Sequence, residues 1–275
     1  MSSFYYSSSI PAELEGIRLH SQSLEVGDDT LVVHDFYHIS KHSALSFWDK
    51  RRENKWLKRG VESSKKIIVF SMVTKKELIR LYPEAEQKIE LHKLVARNEI
   101  IPIDDDARDV VRYQFTQGDA YFLYRGPIHP AAELTNLLKG FSIFKKKMGS
   151  NMRLAVYGPK GSYSTDFLAS IDSYKYREDV VFIGPLTDSE EVSLISSAYA
   201  LVHPCRWERF GVPVLDAMKA GVAVLCVQDS AMSEFCGMAG MYFNETDPAD
   251  IGEKLCRIYK DEHMREEMIG TGLLK

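Results

Sequence analysis

Followed as an alternation of apolar and polar positions, the chain divides into two stretches of unequal regularity. From residue 119 onward, short apolar runs alternate with amphipathic ones. "AYFLYRG", "MRLAVYG", "DVVFIGPL", "YALVHP" and "VAVLCV" have the length and the β-branched or aromatic content of buried strands. Between them, "ELTNLLKGFSIFKKK" sets Leu134, Leu137, Leu138, Phe141 and Phe144 along one helical face. "DSEEVSLISSA" and "DPADIGEKLCRIYKD" also read as helices, and Pro213 opens a short helix that Gly221 closes. In the earlier stretch, "TLVVHDF" (Thr30 to Phe36) and "KKIIVFS" (Lys65 to Ser71) read as strands. The second leads to Thr74, where "TKKE" has the form of a capping box for a helix running through Leu81 and ending before Pro83. Such alternation predicts βαβ units and parallel sheets covered on both faces. The acid-rich segment "RNEIIPIDDDARDVVRYQFTQGD" carries the junction, with residues 1–115 as one domain and 116–275 as the other.

Composition changes this picture little. The 275 residues are 45% hydrophobic and 27% charged, as in a globular protein, and the net charge of −4 predicts no nucleic-acid partner. No apolar run has the length of a membrane span, and "MSSFYYSSSIPAEL" lacks the basic and apolar regions of a secretory signal. Cys205, Cys226, Cys236 and Cys256 form no CxxC pair, so a reduced, cytoplasmic setting is expected.

The candidate chemistry lies in "HPCRWERFGVPVLDAMKAG", where Glu208 stands in a loop and Asp216 in the first turn of the following helix. Ligands of an open parallel sheet sit beyond the carboxyl ends of its strands, against helix N-termini. The helix begun at Val212–Pro213 would aim its free amides at a phosphate, and Gly211 would let the backbone approach closely. Asp216 could then accept from ribose hydroxyls, and Glu208 from whatever the phosphate carries. The plainer alternative is that Asp216 complements the helix dipole and Glu208 is solvated.

The stretch "HPCRWERFGVPVLDAMKAGVAVL" resembles the signature of the retaining glycosyltransferases of family 4, E-x-F-G-x-P-x-x-E-A-M-x-x-G-x-P-V. Glu208, Phe210, Gly211, Pro213, Ala217, Met218 and Gly221 match it. "SAMSEFCGMAGMYFNETDPADIGEKL", with Glu234, and "IIVFSMVTKKELIRLYPEAEQKI" resemble further segments of that family, and "VVHDF" resembles the strand whose terminal histidine, here His34, lies near the reacting sugar. The resemblance implies a GT-B-like α/β fold of two Rossmann-type domains with parallel sheets, the first incomplete. It implies a nucleotide-sugar donor on the second domain, a saccharide or lipid-linked acceptor against the first, no cofactor and no metal. In it Glu208 holds the donor sugar, the Phe210–Gly211–Val212 backbone the phosphate, Asp216 the ribose, and His34 flanks the reacting centre. Gly158, in "YGPKGSYS", resembles the loop that lines the nucleotide. The implied activity is retaining transfer in cell-surface polysaccharide assembly.

Departures from the pattern are specific. Arg209, Asp216 and Ala223 replace a frequent glycine, the second glutamate and a proline. The family's diphosphate-binding arginine and lysine are missing: in "YRGPIHPAAEL", Pro127 stands at the arginine's place and Ala131, Ala132 and Glu133 span the lysine's. Arg125, beside Gly126, lies on the same strand face as Pro127 and is the candidate replacement. Residues 1–115 are few for a full Rossmann-like sheet, and "MIGTGLLK" ends where the family continues into a further helix. These departures define the alternative, a catalytically impaired binding or scaffold protein. Two other constellations carry weaker expectations. His34, His38 and His42 have the spacing of zinc ligands on a helix but lack a completing carboxylate. "SFWDKRRENKWLKRG" reads either as a helix with an aromatic inner face or as a peripheral contact with the inner membrane face.

Overall fold

The computed structural model describes residues 18–20, 23–26, 30–40, 43, 45–160, 164–208 and 210–275. Two sheets organise them. The first contains β1 (Arg18–His20), β2 (Ser23–Val26), β3 (Thr30–Val33), β4 (Lys66–Val69) and β5 (Ile89–Leu91), in that spatial order. The pairs β3–β4 and β4–β5 are parallel, with α1 (Phe47–Ser63) and α2 (Met72–Leu81) as crossovers. The β1–β2 and β2–β3 pairs are antiparallel, so this sheet is mixed rather than wholly parallel.

The helix expected from a Thr74 cap starts earlier. Ser71 is the cap, its hydroxyl accepting from the Thr74 amide at 3.0 Å, while the Glu77 carboxylate turns to Arg80. With β4 ending at Val69, the chain enters the helix almost at once, and the serine meets the first free amides. Replacing Ser71 by alanine should cost about 1 kcal/mol in urea denaturation, the usual worth of such a cap.

The second sheet is entirely parallel. Its chain order is α3 (Asp105–Thr116), β6 (Tyr121–Arg125), α4 (Leu134–Met148), β7 (Arg153–Tyr157), α5 (Ser164–Asp172), β8 (Val180–Ile183), α6 (Asp188–Ser196), β9 (Ala200–His203), α7 (Val212–Lys219), β10 (Ala223–Val227), α8 (Ala231–Cys236), β11 (Gly240–Phe243), α9 (Pro248–Lys260) and α10 (Glu262–Leu273). The spatial order is β11-β10-β9-β6-β7-β8. Along β6 the side chains alternate: Phe122 and Tyr124 join the core beneath α4 and α9, whereas Tyr121 and Leu123 face the core beneath α6, α7 and α8. This period places Arg125 on the α6–α7 side, where an apolar layer gives way to carboxylates. From Arg97 the connecting segment already packs on the second sheet's helices: Ile100 is fully buried in that core, and the Ile101 carbonyl accepts from the Ser196 hydroxyl.

Candidate active site

From β6 the chain winds outward through β7 and β8, then returns to place β9 on the other side of β6. A crevice opens at such a switch, beyond the carboxyl ends of the strands. The loop after β9 carries Glu208 to this place, and β3 of the first sheet ends opposite with His34.

Between them lies a cavity of about 470 Å³. His34, Asp35 and α2 residues including Lys76 and Arg80 line one side; Arg206, Trp207, Glu208 and the 229–231 turn line the other. The His34 imidazole is buried, and its Nδ1 lies 2.8 Å from Asp35 Oδ2; Asp35 Oδ1 in turn accepts from the Tyr37 amide at 2.8 Å. A carboxylate so held fixes the tautomer with the proton on Nδ1 and the lone pair on Nε2. The Phe210 ring meets the imidazole edge-on at 5.7 Å. Glu208 is 7% exposed, and Arg206 is held in place by a bidentate pair to Glu245, one arm at 3.0 Å. Asp35, adjacent to His34 in "VVHDF", was the unread signal of this arrangement.

The expected zinc spacing is not realised as one helical face. His34 follows a strand and His38 sits in a short 3-10 turn, Tyr37–Ile39. Burial pushes His38 below its ordinary 6.5, against the pull of Asp35. His42 and Arg209 lie outside the described residues.

Arg125 and Asp216 do not line the cavity. They belong to a buried ion-pair network. Asp216 is fully buried and accepts from the Arg97 amide at 3.0 Å and from Arg97 Nε at 2.8 Å; Arg125 Nη1 stands 3.8 Å away. Glu191, on α6, receives Arg125 Nε at 2.7 Å, a second contact from Arg125 Nη2, Arg97 Nη2 at 3.1 Å and the Tyr157 hydroxyl at 3.1 Å. Burial opposes the charged form of Glu191, but the two guanidiniums outweigh it and hold the carboxyl below its usual range. Tyr157 is pushed up to about 12, first by burial and then by Glu191, so it remains a donor. Asp216 lies just beyond the first turn of α7 rather than in it, and so is not placed for the plainer alternative of complementing the helix dipole. Neither Arg97 nor Glu191 had a local signal in the sequence.

The remaining expected residues shape the crevice. Phe210 and Val212 are buried with Val32, Ile68, Phe70 and Leu94 in an apolar cluster that joins the two sheets. Gly211 has φ 64°, and a β-carbon there would lie 2.3 Å from the Phe235 ring. Gly158, at φ 148°, packs so closely on Gly126 that a β-carbon would sit 2.0 Å from the Gly126 carbonyl oxygen. The two glycines bring the ends of β6 and β7 together, with the Gly126 amide donating to the Tyr157 carbonyl at 2.9 Å. Glu234, on α8, reaches across the crevice to accept from the Met72 and Val73 amides at 2.8 and 3.1 Å, thereby capping α2 from the other domain.

The two sheets meet at a crevice beyond the carboxyl ends of the second sheet's strands, with Glu208 on its wall. The chain belongs to the group 1 glycosyl transferases, whose family model matches residues 105–273. It is 26% identical over 243 residues to the O-antigen chain mannosyltransferase B of Escherichia coli, a match covering 86% of this chain and 64% of that protein. The chain thus spans somewhat under two thirds of that relative's length. In fold it is similar to WaaG, a glycosyltransferase involved in lipopolysaccharide biosynthesis (TM-score 0.75; 16% identity; 90% of this chain and 70% of that one). It is also similar to Anabaena Alr3699/HepE, solved with UDP and glucose (TM-score 0.73; 12% identity; 89% and 65%).

Proposed function

We propose that this chain transfers a sugar, with retention, from a nucleotide-sugar donor to a glycan or lipid-linked acceptor in cell-surface polysaccharide assembly. The observation that carries this reading is the cavity itself: an Asp35-oriented His34 from one domain faces Glu208 from the other, in a chain of the glycosyl transferase family. The mannosyltransferase relative supports mannose as the sugar. In the reaction the anomeric carbon–phosphate oxygen bond breaks, the nucleoside diphosphate leaves, and an acceptor hydroxyl bonds to the carbon from the same face, its proton passing to the departing diphosphate. Glu208 steadies the oxocarbenium-like sugar. Lys76 on the cavity wall supplies positive charge that Pro127 cannot, while Arg80 and Arg206 beside it are paired with Glu77 and Glu245; under this reading transfer uses no metal. Asp216 engages the ribose once it exchanges Arg97 for it, with Arg125 behind it at 3.8 Å and Gly126, Gly158 and the Phe210–Gly211–Val212 backbone framing the donor. A cytoplasmic enzyme with a peripheral membrane contact fits α1: Trp56 and Leu57 turn inward, while Phe47 and Trp48 stand exposed on a basic helix. Among the described residues no helix is long and apolar enough to cross a membrane.

One observation favours the alternative, a binding or scaffold protein: Arg125 and Asp216 are committed to ion pairs. Calorimetric titration with GDP-mannose and UDP-glucose separates the readings. Under the enzyme reading the chain binds a nucleotide sugar, Asp216→Ala abolishes binding, and Arg97→Ala tightens it about tenfold, the worth of one charge-assisted hydrogen bond removed from competition. Absence of heat with every donor leaves the scaffold reading.

A further inference from the structure

The turn between β10 and α8 lies on the same cavity wall as Glu208 and is fastened on every side. The Gln228 amide donates to the Phe243 carbonyl at 2.9 Å. The Asp229 carbonyl accepts from Arg206 Nη1 at 3.0 Å, and Arg206 is itself braced by the buried Glu245. The buried Ser230 hydroxyl donates to the Val227 carbonyl at 2.7 Å and accepts from the Ser233 amide at 3.3 Å. Within this frame Asp229 has φ 53°, the left-handed region that a residue with a β-carbon enters at a cost. Aspartate often tolerates that region in a turn by bonding a backbone amide two residues on. Here it does not: the Asp229 carboxylate has no hydrogen-bond or ion-pair partner among the described residues, and Asp229 is exposed on the cavity. The bonds around the turn fix the backbone and leave that carboxylate uncommitted. Backbone strain maintained by its surroundings marks functional positions, and a group held in place beforehand loses little freedom on binding.

Given the nucleotide-sugar donor proposed above, on which this depends, we infer that Asp229 is a specificity residue whose carboxylate accepts from two neighbouring hydroxyls of the donor's sugar. Its place in the cavity assigns it to the donor rather than the acceptor. Asp229 belongs to the second domain and shares a wall with Glu208, whereas His34 and α2 form the wall opposite. Its chemistry narrows the ligand further. A carboxylate only accepts hydrogen bonds, so it suits the hydroxyls of a neutral hexose and repels a phosphate or a uronic acid.

Calorimetry on the full chain with GDP-mannose and with GDP tests the role of Asp229. Asp229→Gly removes the carboxylate and takes up the left-handed backbone freely. We expect it to weaken GDP-mannose about 10–100-fold, the worth of hydrogen bonds to a charged group, and to leave GDP within about twofold. Its urea midpoint should stay at or above that of the unaltered chain, because the glycine relieves the strain. Asp229→Asn keeps the size and the tolerance of the left-handed region, and its affinity for GDP-mannose should fall between the two. If the unaltered chain takes only uridine nucleotides, UDP-glucose and UDP are the pair. An unchanged affinity for the nucleotide sugar in Asp229→Gly overturns the assignment. So does a lowered midpoint with nucleotide sugar and bare nucleotide weakened alike, which is the mark of a turn residue. Silence of the unaltered chain towards both pairs is a separate result: it refutes the donor reading itself, and the role of Asp229 with it.

Discussion

Replacing Glu191 by glutamine is expected to cost about 3–5 kcal/mol of stability in urea denaturation at neutral pH. The substitution keeps the shape and the Tyr157 contact but removes the charge that Arg125, 2% exposed, meets through Nε at 2.7 Å, the Asp216 carboxylate standing further off at 3.8 Å. Glu178→Gln is the control: its pair with Arg177 is exposed, and the change should stay within about 0.5 kcal/mol. The same group sets an acid limit. The folded carboxyl titrates below its ordinary 4.5, so its contribution is fully present above that pH and is lost as pH falls through the folded value. His38 adds an earlier slope of the same sign, beginning near 6.5, because the unfolded imidazole takes the proton that burial refuses. Glu191→Gln should therefore flatten the stability curve below about pH 4.5 and leave the slope near 6.5 intact. An unchanged acid limb would show that the network is not what acid disrupts.

Under the proposed function, Glu208→Gln should lower sugar transfer by about 10²–10³-fold while nucleotide binding persists. The amide keeps the volume at the cavity wall and removes the charge aimed at the developing sugar cation, and preorganised charge in such a place is worth that much. The measurement is kcat from mannosyl-donor turnover, set beside calorimetric affinity for the nucleotide. Transfer within twofold of the unaltered chain would remove Glu208 from the reacting centre. His34→Ala should act through the opposite wall and leave the ion-pair network untouched, since His34 bonds Asp35 rather than Arg97 or Glu191.

Much of the order of elements in the second half was legible because the central strands are buried on both faces and the long helices on one, and both patterns are local; α5, α8, β11 and α10 were not read. Phe122 and Tyr124 opposite Tyr121 and Leu123 write that arrangement into consecutive residues. The first sheet was less legible. Its antiparallel edge involves short strands, and Ser71 and Thr74 begin overlapping cap patterns that only the end of β4 distinguishes. Glu208 and His34 were found by motif and do meet at one cavity. The partners of Asp216 were not, because Arg97 lies 119 positions away and reaches Glu191 across 94. A carboxylate in a motif reads the same whether a ligand or a guanidinium will occupy it.

The Glu234 bridge gives the molecule an internal clock. The amides of Met72 and Val73 stand at the start of α2, where no carbonyl of the helix can reach them, and their shield against solvent comes from the opposite domain. Whenever the crevice opens, these two protons become free to exchange while the rest of α2 stays protected. Their deuterium uptake therefore times the breathing of the cleft without a label or a ligand.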